Sequence, residues 1–153
     1  MEKMDKYYYC SYNNLTKLPK LSIELIELSC HHNNLTELPI LPLSLRELYC
    51  SYNKLSKLPI LPIEIIEIYC TYNNLIELPI LPNGLEILEC NNNYLHELPN
   101  LPISLIYLDC SYNNIKYLLP ENIYIIKRIR CNIMDNPLTI NFTDNKEFIN
   151  LLE

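Results

Sequence analysis

Leu45-Arg46-Glu47-Leu48-Tyr49-Cys50-Ser51-Tyr52-Asn53-Lys54-Leu55 and, twenty residues on, Ile65-Ile66-Glu67-Ile68-Tyr69-Cys70-Thr71-Tyr72-Asn73-Asn74-Leu75 match at every apolar position and at the asparagine. The phrase recurs outward in both directions, marked by Cys10, Cys30, Cys50, Cys70, Cys90 and Cys110. A unit this short cannot bury its own apolar face, so copies in phase must stack into a solenoid with a shared core. Within a unit, Leu48 and Cys50 fall on one side of an extended backbone and Tyr49 on the other, which predicts a short strand. Equivalent strands of successive coils then pair in parallel.

The second half of the unit, as in Leu58-Pro59-Ile60-Leu61-Pro62, carries paired prolines: Pro39 and Pro42, Pro59 and Pro62, Pro79 and Pro82, Pro99 and Pro102. Their missing N–H groups and fixed φ exclude a helix and predict an extended, polyproline-like return. Asn13, Asn33, Asn53, Asn73, Asn93 and Asn113 stand where the chain leaves the strand. An inward amide there can bond backbone groups of its own and of the adjacent coil. The cysteines alternate inward with leucines and read as small core residues. Cysteines and asparagines together are therefore read as a structural ladder.

The motif Leu-x-x-Leu-x-Cys-x-x-Asn-x-Leu resembles the leucine-rich-repeat family, with cysteine at the third apolar site. Its proline-containing second half is similar to the short class found in secreted bacterial effectors, including IpaH-type ubiquitin ligases, and in proteins of large DNA viruses. The resemblance spans about residues 5 to 138. It implies a horseshoe with parallel strands on the concave face, extended convex returns and a role in protein recognition inside a host cell. IpaH-type effectors carry their ligase activity in a separate C-terminal domain, for which the chain has no room, so no enzymatic activity is expected.

A single domain is expected over residues 1–153, with repeats over about 5–138 and a short C-terminal helical cap over 139–153. The cap reading rests on Asp144 and Glu147, a helix-start pair, with Phe148, Leu151 and Leu152 sharing one face. The seventh unit is irregular: Cys131 comes twenty-one residues after Cys110, while Asn136-Pro137-Leu138 runs two residues late. A longer last strand with Ile129, Cys131 and Ile133 all inward would reconcile the registers.

With 49% hydrophobic residues, one glycine and a net charge of −6, the chain has material for a core but no phosphate-cradling loops and no basic surface. Nucleic-acid and anionic-membrane partners are therefore not expected. The start MEKMDKYYYC lacks an apolar signal stretch, and the seven cysteines are an odd number. Both suit reduced thiols in the cytoplasm. His31 and His32 are read as strand neighbours pointing to opposite sides, with His96 on a return, so no metal, cofactor or catalytic triad follows.

The candidate site is the outward face of the strands and the turn after them: Tyr9, Glu27, Glu47, Tyr49, Tyr52, Glu67, Tyr69, Tyr72, Glu89, Tyr107, Asp109 and Tyr112. Glu27, Glu47 and Glu67 would stack as like charges on strands about 4.8 Å apart, which calls for compensation. A protein partner with a basic surface would supply it, with the tyrosines as rigid anchors. Lys17, Glu37, Lys57 and Glu77 alternate in sign and predict a surface ion-pair ladder. Lys127, Arg128 and Arg130 form a small basic cluster near the end. The alternative is a structural or self-assembling component, for example of a viral particle, whose uncapped Tyr7-Tyr8-Tyr9 strand pairs with another chain. The chain would then form end-to-end oligomers, and otherwise a monomer.

Overall fold

The computed structural model describes residues 5–138, in which each regular unit closes one coil. Seven strands, β1 (Tyr7–Tyr9), β2 (Glu27–Ser29), β3 (Glu47–Tyr49), β4 (Glu67–Tyr69), β5 (Ile87–Glu89), β6 (Tyr107–Asp109) and β7 (Arg130–Asn132), form one parallel sheet in chain order. Register follows the sequence repeat: Leu28, Leu48, Ile68, Leu88 and Leu108 pair along one row. That row and Cys30, Cys50, Cys70, Cys90 and Cys110 are fully buried. The period-2 alternation of an extended chain places the residues flanking each central leucine outside.

Hydrogen bonding between coils runs beyond the strands. Arg46 N–H donates to Ile26 C=O at 2.8 Å, and Cys50 N–H to Tyr69 C=O at 2.8 Å. On the return, Leu58 and Leu61 face inward. The chain then reverses in a turn closed by Ile65 N–H to Pro62 C=O at 3.3 Å, a bond repeated from Leu45 to Pro42, Leu85 to Pro82 and Leu105 to Pro102. Extended backbone between the turns satisfies the constraint that the prolines impose.

The asparagines join the coils. The Asn73 amide donates to Cys50 C=O of the preceding coil at 3.0 Å and to Cys70 C=O of its own coil at 3.1 Å, and its Oδ1 accepts from Leu55 N–H at 3.0 Å. Asn53, Asn93 and Asn113 repeat this arrangement, and Asn33 repeats it with Leu15 as donor. Among the described residues no coil precedes that of Asn13, whose exposed side-chain amide donates to Ser11 C=O at 2.8 Å.

The last coil corrects two expectations. Its strand is no longer than the others, although Ile129 and Cys131 pack against the core and Ile133 is buried in it, and Cys131 pairs with Leu108. Ile133 takes the inward position after it, and Asn136 enters the ladder by donating to Cys110 C=O and Ile133 C=O, each at 3.0 Å. The preceding coil is thus twenty-three residues long. Its extra length is taken up by a helix, α1 (Pro120–Ile126), in a return expected to be extended like the rest. The paired-proline motif lapses at Leu118-Leu119-Pro120, and the proline left stands at the helix start, where no N–H is needed. Ile125 and Ile126 pack inward, and buried Asn122 accepts from Leu101 N–H at 2.9 Å and donates to Pro99 C=O at 2.9 Å. The cap expected over 139–153 lies outside the described residues. Among the described residues no helix is long and apolar enough to cross a membrane.

The asymmetry between Asn13 and the interior asparagines is testable by urea unfolding. Asn73→Ala strands one buried N–H and the carbonyls it bridges, at about 1–3 kcal/mol for each group, and is expected to cost about 3 kcal/mol or more. Asn13→Ala is expected to cost about 0.5 kcal/mol or less. Equal losses would contradict the ladder's role.

Candidate functional site

Two columns of side chains line the open face of the sheet. The first comes from the strands, where the register sets Glu27 beside Glu47 and Glu47 beside Glu67, with Tyr49 beside Tyr69. The Tyr49 and Tyr69 rings stack with centroids 4.8 Å apart and planes 10° apart. The Tyr49 hydroxyl donates to Glu47 Oε2 at 2.9 Å and reaches Glu67 Oε2 at 3.5 Å, and the Tyr69 hydroxyl donates to Glu67 Oε2 at 3.1 Å. Tyr9 donates to Glu27 Oε2 at 2.9 Å. Phenol donors therefore meet part of the compensation that the glutamate column requires. The phenols respond: burial first, then the neighbouring Glu67, pushes Tyr69 up to about 12, and burial with Glu47 raises Tyr49 further.

Toward the C-terminal end the column becomes Glu89 beside Asp109, with Tyr107 beside Ile87 and Arg130. Burial and the charge of Asp109 raise the Glu89 carboxyl above its ordinary value. Asp109 accepts from the Ser111 hydroxyl at 2.6 Å. The Arg130 guanidinium lies 5.5 Å from the Tyr107 ring centroid, which places one member of the expected basic cluster at the edge of the acidic face. Nearby, Asn91 Oδ1 is buried with no hydrogen-bond partner among the described residues.

The second column lies in the turn. Tyr12, His32, Tyr52, Tyr72, Asn92 and Tyr112 all adopt positive φ, between 51° and 60°. This left-handed backbone is uncommon outside glycine and asparagine and costs on the order of 1 kcal/mol per residue. It lets each ring lie flat against the next: Tyr12 on His32 at 4.4 Å, His32 on Tyr52 at 4.2 Å and Tyr52 on Tyr72 at 4.5 Å, with planes within 11°. Aromatic stacking offsets part of the backbone cost.

The same backbone reversal corrects the reading of the histidines. Both follow β2, and their rings lie together, 5.4 Å apart, with Tyr12 against each. Strand alternation has ended by His32, whose φ is 53°. Burial and the neighbouring His32 lower the pKa of His31. The expected ion-pair ladder is not formed: among the described residues no ion pair joins Lys17, Glu37, Lys57 and Glu77, all of them exposed. Solvation wins over weak attraction between long, free side chains. Arg46 and Glu64 form an ion pair at 3.9 Å instead.

Of the expected site residues, Glu47, Tyr49, Glu67 and Tyr69 form one hydrogen-bonded, stacked patch. Tyr52 and Tyr72 form a second with His32 and Tyr12. Tyr112 stands apart from that stack, beside Asp135, whose charge raises its phenol pKa. Tyr9 and Glu27 pair at the N-terminal end, and Glu89, Tyr107 and Asp109 gather at the other. Tyr12, His32, Arg130 and Asp135 were not among the expected site residues. Tyr12 and His32 had a clear signal, their place in the column that runs to Tyr112, and Arg130 was read only as part of the basic cluster.

Parallel strands on one face, proline-bearing returns on the other and a stacked asparagine row between them define a leucine-rich-repeat solenoid. No family model and no curated protein matches the chain. Among solved structures, a Shigella effector leucine-rich-repeat domain is 30% identical with a TM-score of 0.77, the match covering 88% of this chain and 71% of that one. YopM from Yersinia enterocolitica WA-314 is 40% identical over 80% of this chain, with a TM-score of 0.74. YopM from Yersinia pestis, a leucine-rich effector protein, is 32% identical over 87% of it, with a TM-score of 0.79. The chain belongs to the leucine-rich-repeat family and has the fold of these effector domains, in general a protein-interaction module. It spans 27% and 38% of the two YopM chains.

The cysteines give a test of the register. Burial pushes the Cys30 and Cys70 thiols up to about 12, and Cys50, Cys90 and Cys110 are also raised. Cys131 is only partly buried, and a hydrogen bond from the Cys110 thiol lowers its pKa. In native protein, Cys131 is expected to react with a thiol reagent at least about tenfold faster than the other six. Fast labelling at Cys50, Cys70 or Cys90 would contradict their burial.

Proposed function

We propose that this chain is a non-enzymatic recognition module that holds a protein partner with a basic surface against its tyrosine- and glutamate-lined concave face. The observation that carries the reading is the Glu47, Tyr49, Glu67 and Tyr69 patch. Its rings are stacked and its phenols are hydrogen-bonded to carboxylates, so the groups are ordered before a partner arrives. Stacked tyrosines offer large, rigid contact area, and adjacent carboxylates favour arginine and lysine. The net charge of −6 acts in the same direction at longer range. Six of the seven thiols, all but Cys131, are buried with raised pKa values and are poor nucleophiles, which supports recognition over catalysis. The setting proposed is the cytoplasm of a host cell, where thiols stay reduced.

The test is affinity capture from host lysate with Tyr49→Ala, Glu67→Gln and Tyr69→Ala combined. A control carries Ile60→Ser and Ile80→Ser, two fully exposed convex positions. The concave variant is expected to retain its circular dichroism spectrum and to lose about tenfold or more of the captured partner, while the control captures as the native chain does. Capture in the native chain should also weaken with added salt. Undiminished capture by a folded concave variant would refute the proposal.

A further inference from the structure

The turn column contains one break. Tyr12, His32, Tyr52 and Tyr72 stack without interruption, and then Asn92 stands where a ring would continue the row to Tyr112. Asn92 has the same left-handed backbone as the aromatic residues, with φ of 56°, so its side chain starts from the same place in its coil. An asparagine side chain ends well short of a tyrosine ring. The space beyond it is an open depression lined by Tyr72, Asn92 and Tyr112, with Asn74 and Tyr94 also on its wall.

The dimensions select a flat occupant. Tyr72 and Tyr112 lie on second-neighbour coils, so their rings are separated by two coil spacings, about 9 Å. A planar group packed between two rings needs roughly 3.5–4 Å on each side, or about 7–8 Å. One plane fits and two do not. The electrostatics select its charge. Phenol rings have electron-rich faces, Glu89 and Asp109 project from the strands of the coils that carry Asn92 and Tyr112, and Asp135 lies beyond Tyr112. The lining of the depression consists of tyrosines and asparagines and includes no cation. The Asn92 amide at its base offers a carbonyl acceptor.

We propose that this slot binds an arginine guanidinium of the protein partner, sandwiched between Tyr72 and Tyr112. The proposal rests on the concave-face reading and deepens it by naming the side chain that completes the stack. Guanidinium is planar, remains charged and stacks on aromatic faces, whereas the lysine ammonium is a compact, strongly hydrated point charge. A phenylalanine ring has the right thickness but gains nothing from the negative charge of Glu89 and Asp109 on the same two coils.

The test uses defined tripeptides, acetyl-Gly-Arg-Gly-amide and its Lys and Phe counterparts, titrated at millimolar concentration while the ring signals of Tyr72 and Tyr112 are followed by NMR. Saturable shifts confined to those rings are expected, with the Arg peptide binding about fivefold or more tighter than the Lys peptide. Asn92→Tyr fills the slot. It is expected to raise the unfolding midpoint by completing the stack and to abolish the Arg peptide shifts. Equal affinity for the Lys peptide, tighter binding of the Phe peptide, no binding at all, or undiminished binding by a folded Asn92→Tyr protein would each overturn the proposal. The Tyr49, Glu67 and Tyr69 variant leaves the slot intact and should bind the Arg peptide normally. Failure of the slot is thus distinguishable from failure of the concave-face reading.

Discussion

One interaction sets the rest of this structure: the carboxamide of an inward asparagine shared between two coils. Its Nδ2 carries two hydrogens and its Oδ1 accepts, so one side chain can satisfy backbone carbonyls of two successive coils and an N–H of the earlier one. These backbone groups lie where the chain leaves the sheet, beyond the reach of regular strand pairing. Left unpaired in the interior they would oppose the burial of Leu48, Cys50 and Leu55 around them. The repeat length follows from this constraint. Each coil must return the asparagine to the same height and angle, whatever its other half does.

The sixth coil shows how strictly that holds. Three added residues turn an extended return into α1, yet Asn136 still reaches Cys110 C=O at 3.0 Å. The change is absorbed on the return side, and the open face keeps its register from β1 to β7. Side chains projecting from that face are therefore held in straight columns. Stacked tyrosines, hydrogen-bonded glutamates and the gap at Asn92 are all consequences of columns one coil spacing apart.

Much of this was legible in the sequence, because the core positions and the asparagine recur without exception through five consecutive coils. The last coil was misread because cysteine served as the ruler. Cysteine and leucine are both simply apolar at an inward position, so Cys131 can occupy the leucine place and Ile133 the cysteine place at little cost. Asparagine is not interchangeable in this way, and Asn136 marked the true register. The left-handed turn was hidden for a different reason. Tyrosine has no preference for positive φ, and only His32 and Asn92 in that column hint at it. Asn92 and Tyr112 share that backbone outside the stack, so the turn sets it in every coil, and the ring stacking that follows is a tertiary effect that no single unit displays. The pairing of Tyr49 and Tyr69 with the glutamate column likewise depends on side-chain reach across neighbouring strands.

Native-state hydrogen exchange tests the central claim most directly, because the ladder assigns a side-chain acceptor to a specific amide in each coil. The N–H groups of Leu35, Leu55, Leu75 and Leu95 bond to asparagine Oδ1 atoms of the next coil at 2.9–3.0 Å. The account predicts that these amides exchange in the slowest class, together with the central strand residues Leu48, Ile68 and Leu88. Exchange of Leu55 and Leu75 as fast as the exposed return residues Ile60 and Ile80 would contradict it.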